Sequence, residues 1–213
     1  SDEVLNGPPT VQISSNTSPV VAPSTASTNY TATHTLDQSS DPQTAVTFSI
    51  ASIIDRAGNP VSTISNTSDA SSVTFDYTAP QLDVVASSSN NSLTSSRAKA
   101  DDVVTVSFTT DEQVQTPVVL IAGESAVEAN ANGDKVTWAA TKTMDAEDSD
   151  GAIAFTINFT DLAGNTGTQV TESGITSGAA VTFDNTAPDL ASITVASSNS
   201  TNSNYGIEDD IIS

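Results

Sequence analysis

Apolar and polar residues alternate along this chain in short runs. Val104, Val106 and Phe108 fall on one face of 102–109, and Ile153, Phe155, Ile157 and Phe159 on one face of 152–160. A period of two predicts half-buried strands. Shorter runs predict further strands over 82–86, 117–121 and 135–144, with a polar edge strand over 124–128. Turn chemistry separates them: a Ser/Asn-rich loop at 87–96, an Asn-Gly turn at 130–134, an acidic loop at 145–151 and a tight turn at 161–165. No stretch of useful length has a helical period. Short, evenly spaced strands between turn signals predict an all-β chain built as β-sandwiches.

The pattern occurs twice. Val73-Thr74-Phe75-Asp76-Tyr77-Thr78-Ala79-Pro80 returns 108 residues later as Val181-Thr182-Phe183-Asp184-Asn185-Thr186-Ala187-Pro188. Asp55-Arg56-Ala57-Gly58-Asn59 returns as Asp161-Leu162-Ala163-Gly164-Asn165, and Ala100-Asp101-Asp102-Val103-Val104 as Glu208-Asp209-Asp210-Ile211-Ile212. A fixed period marks an array of like units. The frame is out of step with the chain ends. Ser1-Asp2-Glu3 matches Thr110-Asp111-Glu112, and 189–213 matches 81–105. The units are therefore expected at 1–78, lacking its two opening strands, at 79–186, complete, and at 187–213, the opening strands of a third. A piece of a longer tandem array explains this frame. So does strand donation, in which the last residues of one copy complete the first sandwich of the next. Trp138 falls where Tyr30 falls in the other unit, which predicts an aromatic pin between two sheets.

Composition narrows the function. The net charge is -21, with five basic side chains. Nucleic acid is excluded as a partner, since binding phosphates needs a basic stripe. Anionic membrane surfaces are excluded on the same ground, and no apolar run is long enough to insert in a membrane. The chain has no cysteine, so disulfides cannot report its compartment. His34 is the one histidine, and its counterpart is Lys142, so it is expected as an exposed strand residue. Without a second histidine or a cysteine, neither a Ser-His-Asp set nor a zinc site can be assembled. The chain is not expected to be an enzyme.

The aliphatic strand running into Asp161-Leu162-Ala163-Gly164-Asn165, with the joint Phe183-Asp184-Asn185-Thr186-Ala187-Pro188, resembles the tandem immunoglobulin-like repeats of giant prokaryotic surface proteins. Bacterial adhesins and archaeal surface-layer proteins are among them. The resemblance covers the second unit and the first up to Pro80. It implies immunoglobulin-like β-sandwiches in an extracellular, structural or adhesive protein of the cell surface. The first unit departs from the pattern at Ile53-Ile54, where one extra residue precedes Asp55.

In such a sandwich the turns after the second and sixth strands share a pole with the incoming linker. That groups Asp111, Glu112, Asp161 and Asn165 with Asp76. The opposite pole, about 30 Å away along the second strand, groups Asp101, Asp102 and the acidic 145–150 loop with Asp184. Converging carboxylates repel unless a cation lies between them, and Ca2+ accepts six to eight oxygens in irregular geometry. The plainer reading of 161–165 is a turn, with Asp161 capping amides and Gly164 at positive φ; calcium would add to that role. Six Asn-X-Ser/Thr sequons occur, at Asn16, Asn29, Asn66, Asn90, Asn158 and Asn199, with the related loops of Asn90 and Asn199 the best acceptors and mid-strand Asn158 the poorest. The expected function is a structural repeat of a surface polymer (a filament, surface layer or adhesin stalk), with copies of itself or neighbouring repeats as partners. The alternative is a calcium-dependent adhesin module that binds a glycan or another surface.

Overall fold

The computed structural model describes residues 1–15, 18–130 and 132–213. Seventeen strands and one 3-10 turn form all of the regular structure among them, without an α-helix. Among the described residues, no helix is long and apolar enough to cross a membrane. The strands up to residue 78 are β1 (Thr10–Ile13), β2 (Val20–Ala22), β3 (Thr31–Thr33), β4 (Phe48–Ala51), β5 (Ile53–Ile54) and β6 (Pro60–Val61). They pair as β1 with β4, β2 with β3 and β5 with β6. Then follow β7 (Leu82–Ser89), β8 (Arg97–Ala98), β9 (Val103–Thr110), β10 (Val118–Ile121), β11 (Glu124–Ser125), β12 (Val127–Asn130), β13 (Thr137–Thr143), β14 (Gly151–Ala152), β15 (Phe155–Asn158), β16 (Val170–Thr171) and β17 (Thr182–Phe183).

Residues 79–186 hold two four-stranded sheets, ordered β11-β10-β15-β16 and β12-β13-β9-β7, and a three-stranded ribbon, β14-β17-β8. One buried cluster unites them. It takes Val104, Val106, Phe108 and Trp138 from one sheet, Val119, Ile121, Phe155 and Ile157 from the other, Phe183 from the ribbon and Val181 from the residue just before it. This arrangement is compatible with a β-sandwich. Trp138 is 5% exposed, in the core between the sheets.

Tertiary pairing moves several boundaries away from the local pattern. Ser87, Ser88 and Ser89 continue β7 rather than forming a loop, because Val104, Thr105 and Val106 of β9 pair with them and Ser89 is buried. The run at 124–128 is two strands that change sheet at Ala126: β11 pairs with β10, and β12 with β13. The run at 152–160 likewise divides between β14 and β15, which belong to different sheets.

The two halves share local geometry beyond their sequence. Asp55 accepts bonds from the Asn59 amide at 2.8 Å and its side-chain nitrogen at 2.6 Å, as Asp161 does from Asn165 at 2.8 and 2.7 Å. Gly58 and Gly164 take φ of 93° and 105° in these turns, a conformation that favours glycine. The extra residue before Asp55 is absorbed at Ser52, which takes φ 55°.

His34 is not an exposed strand residue. Its side chain is 10% exposed, and its Nε2 lies 2.8 Å from the buried Asp41 carboxylate. The Asp37 amide and Ser15 hydroxyl also donate to Asp41. Lys142 in the other half repeats the arrangement: its Nζ bonds Asp148 at 2.7 and 2.8 Å, and the Asp145 amide donates to the same carboxylate. A side-chain nitrogen over a capped aspartate is thus built into both halves. A buried charge persists only when it is paired in this way.

Residues 187–213 form no strand. They close on themselves through one bridge, Ser197 to Ile212, and leave Leu190, Ile193, Val195, Ile207 and Ile211 each more than 70% exposed. A hairpin without a third strand or a packed face has little to hold it extended.

Candidate metal centre

Asp161 ends the buried run of β15 and Phe159, and Thr160 pairs with Thr166 across the turn that follows. The turn folds back because Asp161 Oδ1 accepts the amides of Gly164 and Asn165 at 2.6 and 2.8 Å. Asp161 is 1% exposed. Burial opposes its ionisation. The Asn165 side chain, then the amides of Asn165, Gly164 and Ala163, outweigh that and hold its pKa below the ordinary carboxylate value. Asn165 also donates its side-chain N–H to the Asp76 carbonyl at 3.2 Å. One turn therefore grips the segment that leads into β7.

Asp76 is fixed from its own side. Its Oδ1 accepts the Thr78 amide at 3.0 Å and the Gln43 side chain at 2.8 Å, and Thr78 in turn donates to Gln43. Gln43 is a brace that sequence patterning missed. Its partners lie 33 and 35 residues ahead, beyond any local motif.

Glu112, just past the end of β9, brings the third carboxylate. One oxygen from each of Asp76, Glu112 and Asp161 lies within 4.8 Å of the others, and these three could hold a metal ion. Calcium–oxygen bonds of roughly 2.4 Å place opposite ligands about 4.8 Å apart, so the spacing fits such an ion. Desolvation first, then the charges of Asp76, Asp161 and Asp111, push the Glu112 pKa above its ordinary value. Ionised Glu112 is thus penalised in the fold, and the penalty grows as pH rises through its folded pKa. In chelator at pH 7, Glu112→Gln is expected to stabilise the chain, by no more than about 1 kcal/mol. At pH 4, where Glu112 is largely protonated, the gain disappears. Urea titrations at the two pH values check this; an equal effect at both would show that repulsion is not the cause.

Asp111 sits beside the trio but outside it. Its carboxylate accepts the Gln81 amide at 2.8 Å, and its own amide donates back to the Gln81 carbonyl. The far-pole residues do not assemble into a ligand group. Asp102 caps its own turn, accepting the Asn91 side chain at 2.7 Å and the Lys99 amide at 2.9 Å. Asp184 Oδ1 accepts the Thr186 amide, and Asp101 is exposed at φ 69°. In the acidic loop, Asp148 is held by Lys142, and Asp150 accepts the Asn185 amide and Thr186 hydroxyl. Asp102, Asp148, Asp150 and Asp184 are thus each turned to separate donors.

Among the sequons, Asn16 lies outside the described residues. Asn29, Asn66, Asn90 and Asn158 are exposed, and Asn199 is half-buried. The side-chain oxygens of Asn90 and Asn199 already accept backbone amides, from Val103 and from Thr201 and Asn202. Asn158 accepts a bond from Gln169. No known family model matches this chain, and no curated protein is significantly similar to it.

Proposed function

We propose that this chain is a structural repeat of an extracellular prokaryotic surface polymer. In this reading, residues 1–78 and 79–186 are tandem immunoglobulin-like sandwiches and 187–213 opens a third. Calcium stiffens the joint between the first two. One observation carries the reading: carboxylates from both sides of the Ala79-Pro80 linker converge on one another, Asp76 before it with Glu112 and Asp161 after it. A cation held by all three ties the two units at a fixed angle. The internal repeat and the matched turns support the tandem frame. The acidic surface suits cation capture in salt-rich surroundings.

Calcium titrated into the 213-residue chain is expected to bind with a Kd of about 0.1–1 mM, the range of extracellular modules. At ten times that Kd it stabilises the fold by about 1.4 kcal/mol. Small-angle scattering of the same samples should show a narrower distribution of chain dimensions with calcium than with chelator. Asp76→Asn with Glu112→Gln should abolish both responses. Heat-free titrations with unchanged scattering would overturn the calcium joint.

A further inference from the structure

We propose that the outward face of the sheet β12-β13-β9-β7 is a lateral docking surface, and that its occupant is the same face of a second copy of this chain. The contact goes beyond the calcium joint and needs no cation.

The register assembles this face row by row. Residues opposite one another in an antiparallel ladder share one side of the sheet. Trp138, Phe108 and Val85 form such a row on the inner side and are buried. On the outer side, Val127 pairs with Thr141, Thr141 with Thr105, and Thr105 with Ser88. The adjacent outer row is Ala129, Ala139, Ser107 and Ala86. Along all four strands the outward residues in register are Thr, Ser, Ala or Val, and none of the rows is buried. Asp83 stands apart from them, in the bulge between Leu82 and Val84. Short side chains give such a face little relief, and none of them carries a charge.

The other half carries the same outer pairing. Val20 pairs with Thr33 as Val127 pairs with Thr141, and Ala22 with Thr31 as Ala129 with Ala139. Val20 and Val127 are each 71% exposed. A β-branched apolar side chain thus stands in solvent at one register in both halves, beside a threonine hydroxyl. Exposed apolar ground of this kind marks a contact surface when it is continuous, as it is across the four strands of 79–186.

Charge and repetition identify the occupant. A net charge of -21 keeps two copies apart wherever their carboxylates would meet. Two of these faces meet without bringing any charge together, and a face packed on itself is isologous, closing on two chains. A partner that engages both halves must repeat with their spacing, as a second copy does, and the second contact is then intramolecular. The area sets the strength. β7 and β9 are each eight residues long. Four strands about 4.8 Å apart, rising roughly 3.3 Å per residue, present about 500 Å². Two copies bury about 1,000 Å² in total, at the low end for specific interfaces. The dimer is therefore weak and concentration-dependent, and its salt response is diagnostic. Raising NaCl from about 0.05 to 0.5 M screens the repulsion between the chains and tightens it, whereas a contact held by ion pairs loosens.

Sedimentation equilibrium of the 213-residue chain across that salt range tests the pairing. Ser107 is exposed in the middle of the face, so a charge placed there meets its own copy. Ser107→Glu and Ser107→Lys, each alone, are expected to weaken the dimer at least about tenfold, since like charges then face one another. Mixed one to one, the two variants should associate at least as tightly as the unaltered chain. Val118→Glu is the control, at a residue 58% exposed on the outer side of the other sheet, and should change nothing. Trp138 fluorescence during denaturation shows that each variant is folded. Monomers at every salt, a dimer that tolerates Ser107→Glu, or a mixture no tighter than its separate components would each overturn the face-to-face contact. Monomers whose unaltered form, but not Ser107→Glu, is retained on cellulose would overturn it too and assign the face to a neutral glycan. Every one of these results leaves the calcium joint untouched, because none of the altered residues belongs to it.

Discussion

Asp161→Ala is expected to destabilise residues 79–186 by about 3 kcal/mol and to abolish any calcium response. The buried carboxylate accepts the amides of Gly164 and Asn165 and the Asn165 side chain. Bonds to a charged group are each worth about 1.5–3 kcal/mol, and their donors would be left without that acceptor in a buried turn. Asn165 would also lose its support while it holds the Asp76 carbonyl, so the linker loosens with the turn. The effect depends on pH in a definite direction. The folded pKa of Asp161 is depressed, so its stabilisation is present above the ordinary carboxylate pKa and fades as pH falls through the folded value. The difference between the two proteins should therefore shrink in strong acid. Chemical denaturation followed by fluorescence measures it cleanly, because Trp138 is the one tryptophan and reports on 79–186. A loss below about 1 kcal/mol would show that the turn holds without its aspartate.

Phe183→Ala is expected to cost about 4 kcal/mol, within the range for deleting a buried ring. Phe183 is fully buried in β17, the middle strand of its ribbon, with Gly151 on one side and Ala98 on the other. Nothing nearby can collapse into the space without breaking that pairing. The same change at the equivalent Phe75 should cost only about 1 kcal/mol, because that ring is half-exposed and packs on Tyr77 at a centroid distance of 5.3 Å. Differential scanning calorimetry of both variants resolves the comparison. Equal losses would mean that the two positions are equally enclosed in solution.

The strands that face one core were legible because their pattern is local. Val104, Val106 and Phe108, and the four apolar residues from Ile153 to Phe159, are all buried. The boundaries that failed were set by partners far along the chain. Nothing in Ser87-Ser88-Ser89 marks a strand until β9 pairs with it, and nothing at Ala126 or 153–154 marks a change of sheet. The trio Asp76, Glu112 and Asp161 could be anticipated because each lies at a strand end or joint, where topology decides who meets. The far-pole group could not be told from it by composition. What separates them is convergence: one oxygen from each of Asp76, Glu112 and Asp161 comes within 4.8 Å of the others, whereas Asp102 and Asp150 are each turned to donors of their own. The pairing of His34 with Asp41 was legible in principle, since Lys142 and Asp148 occur at nearly the same spacing in the other half.

The parallel contact between β7 and the stretch before β17 also decides how this molecule answers tension. The chain enters 79–186 just before β7 and leaves just after β17. Between them, Val85 and Thr176 bond through both backbone and side chain, Ser177 donates to Val85, and Ser87 donates to the Ala179 carbonyl. Pulling the two ends apart drags these parallel segments lengthwise past each other. The bonds then lie across the direction of sliding and share the force, so they rupture together instead of opening one after another like a zip.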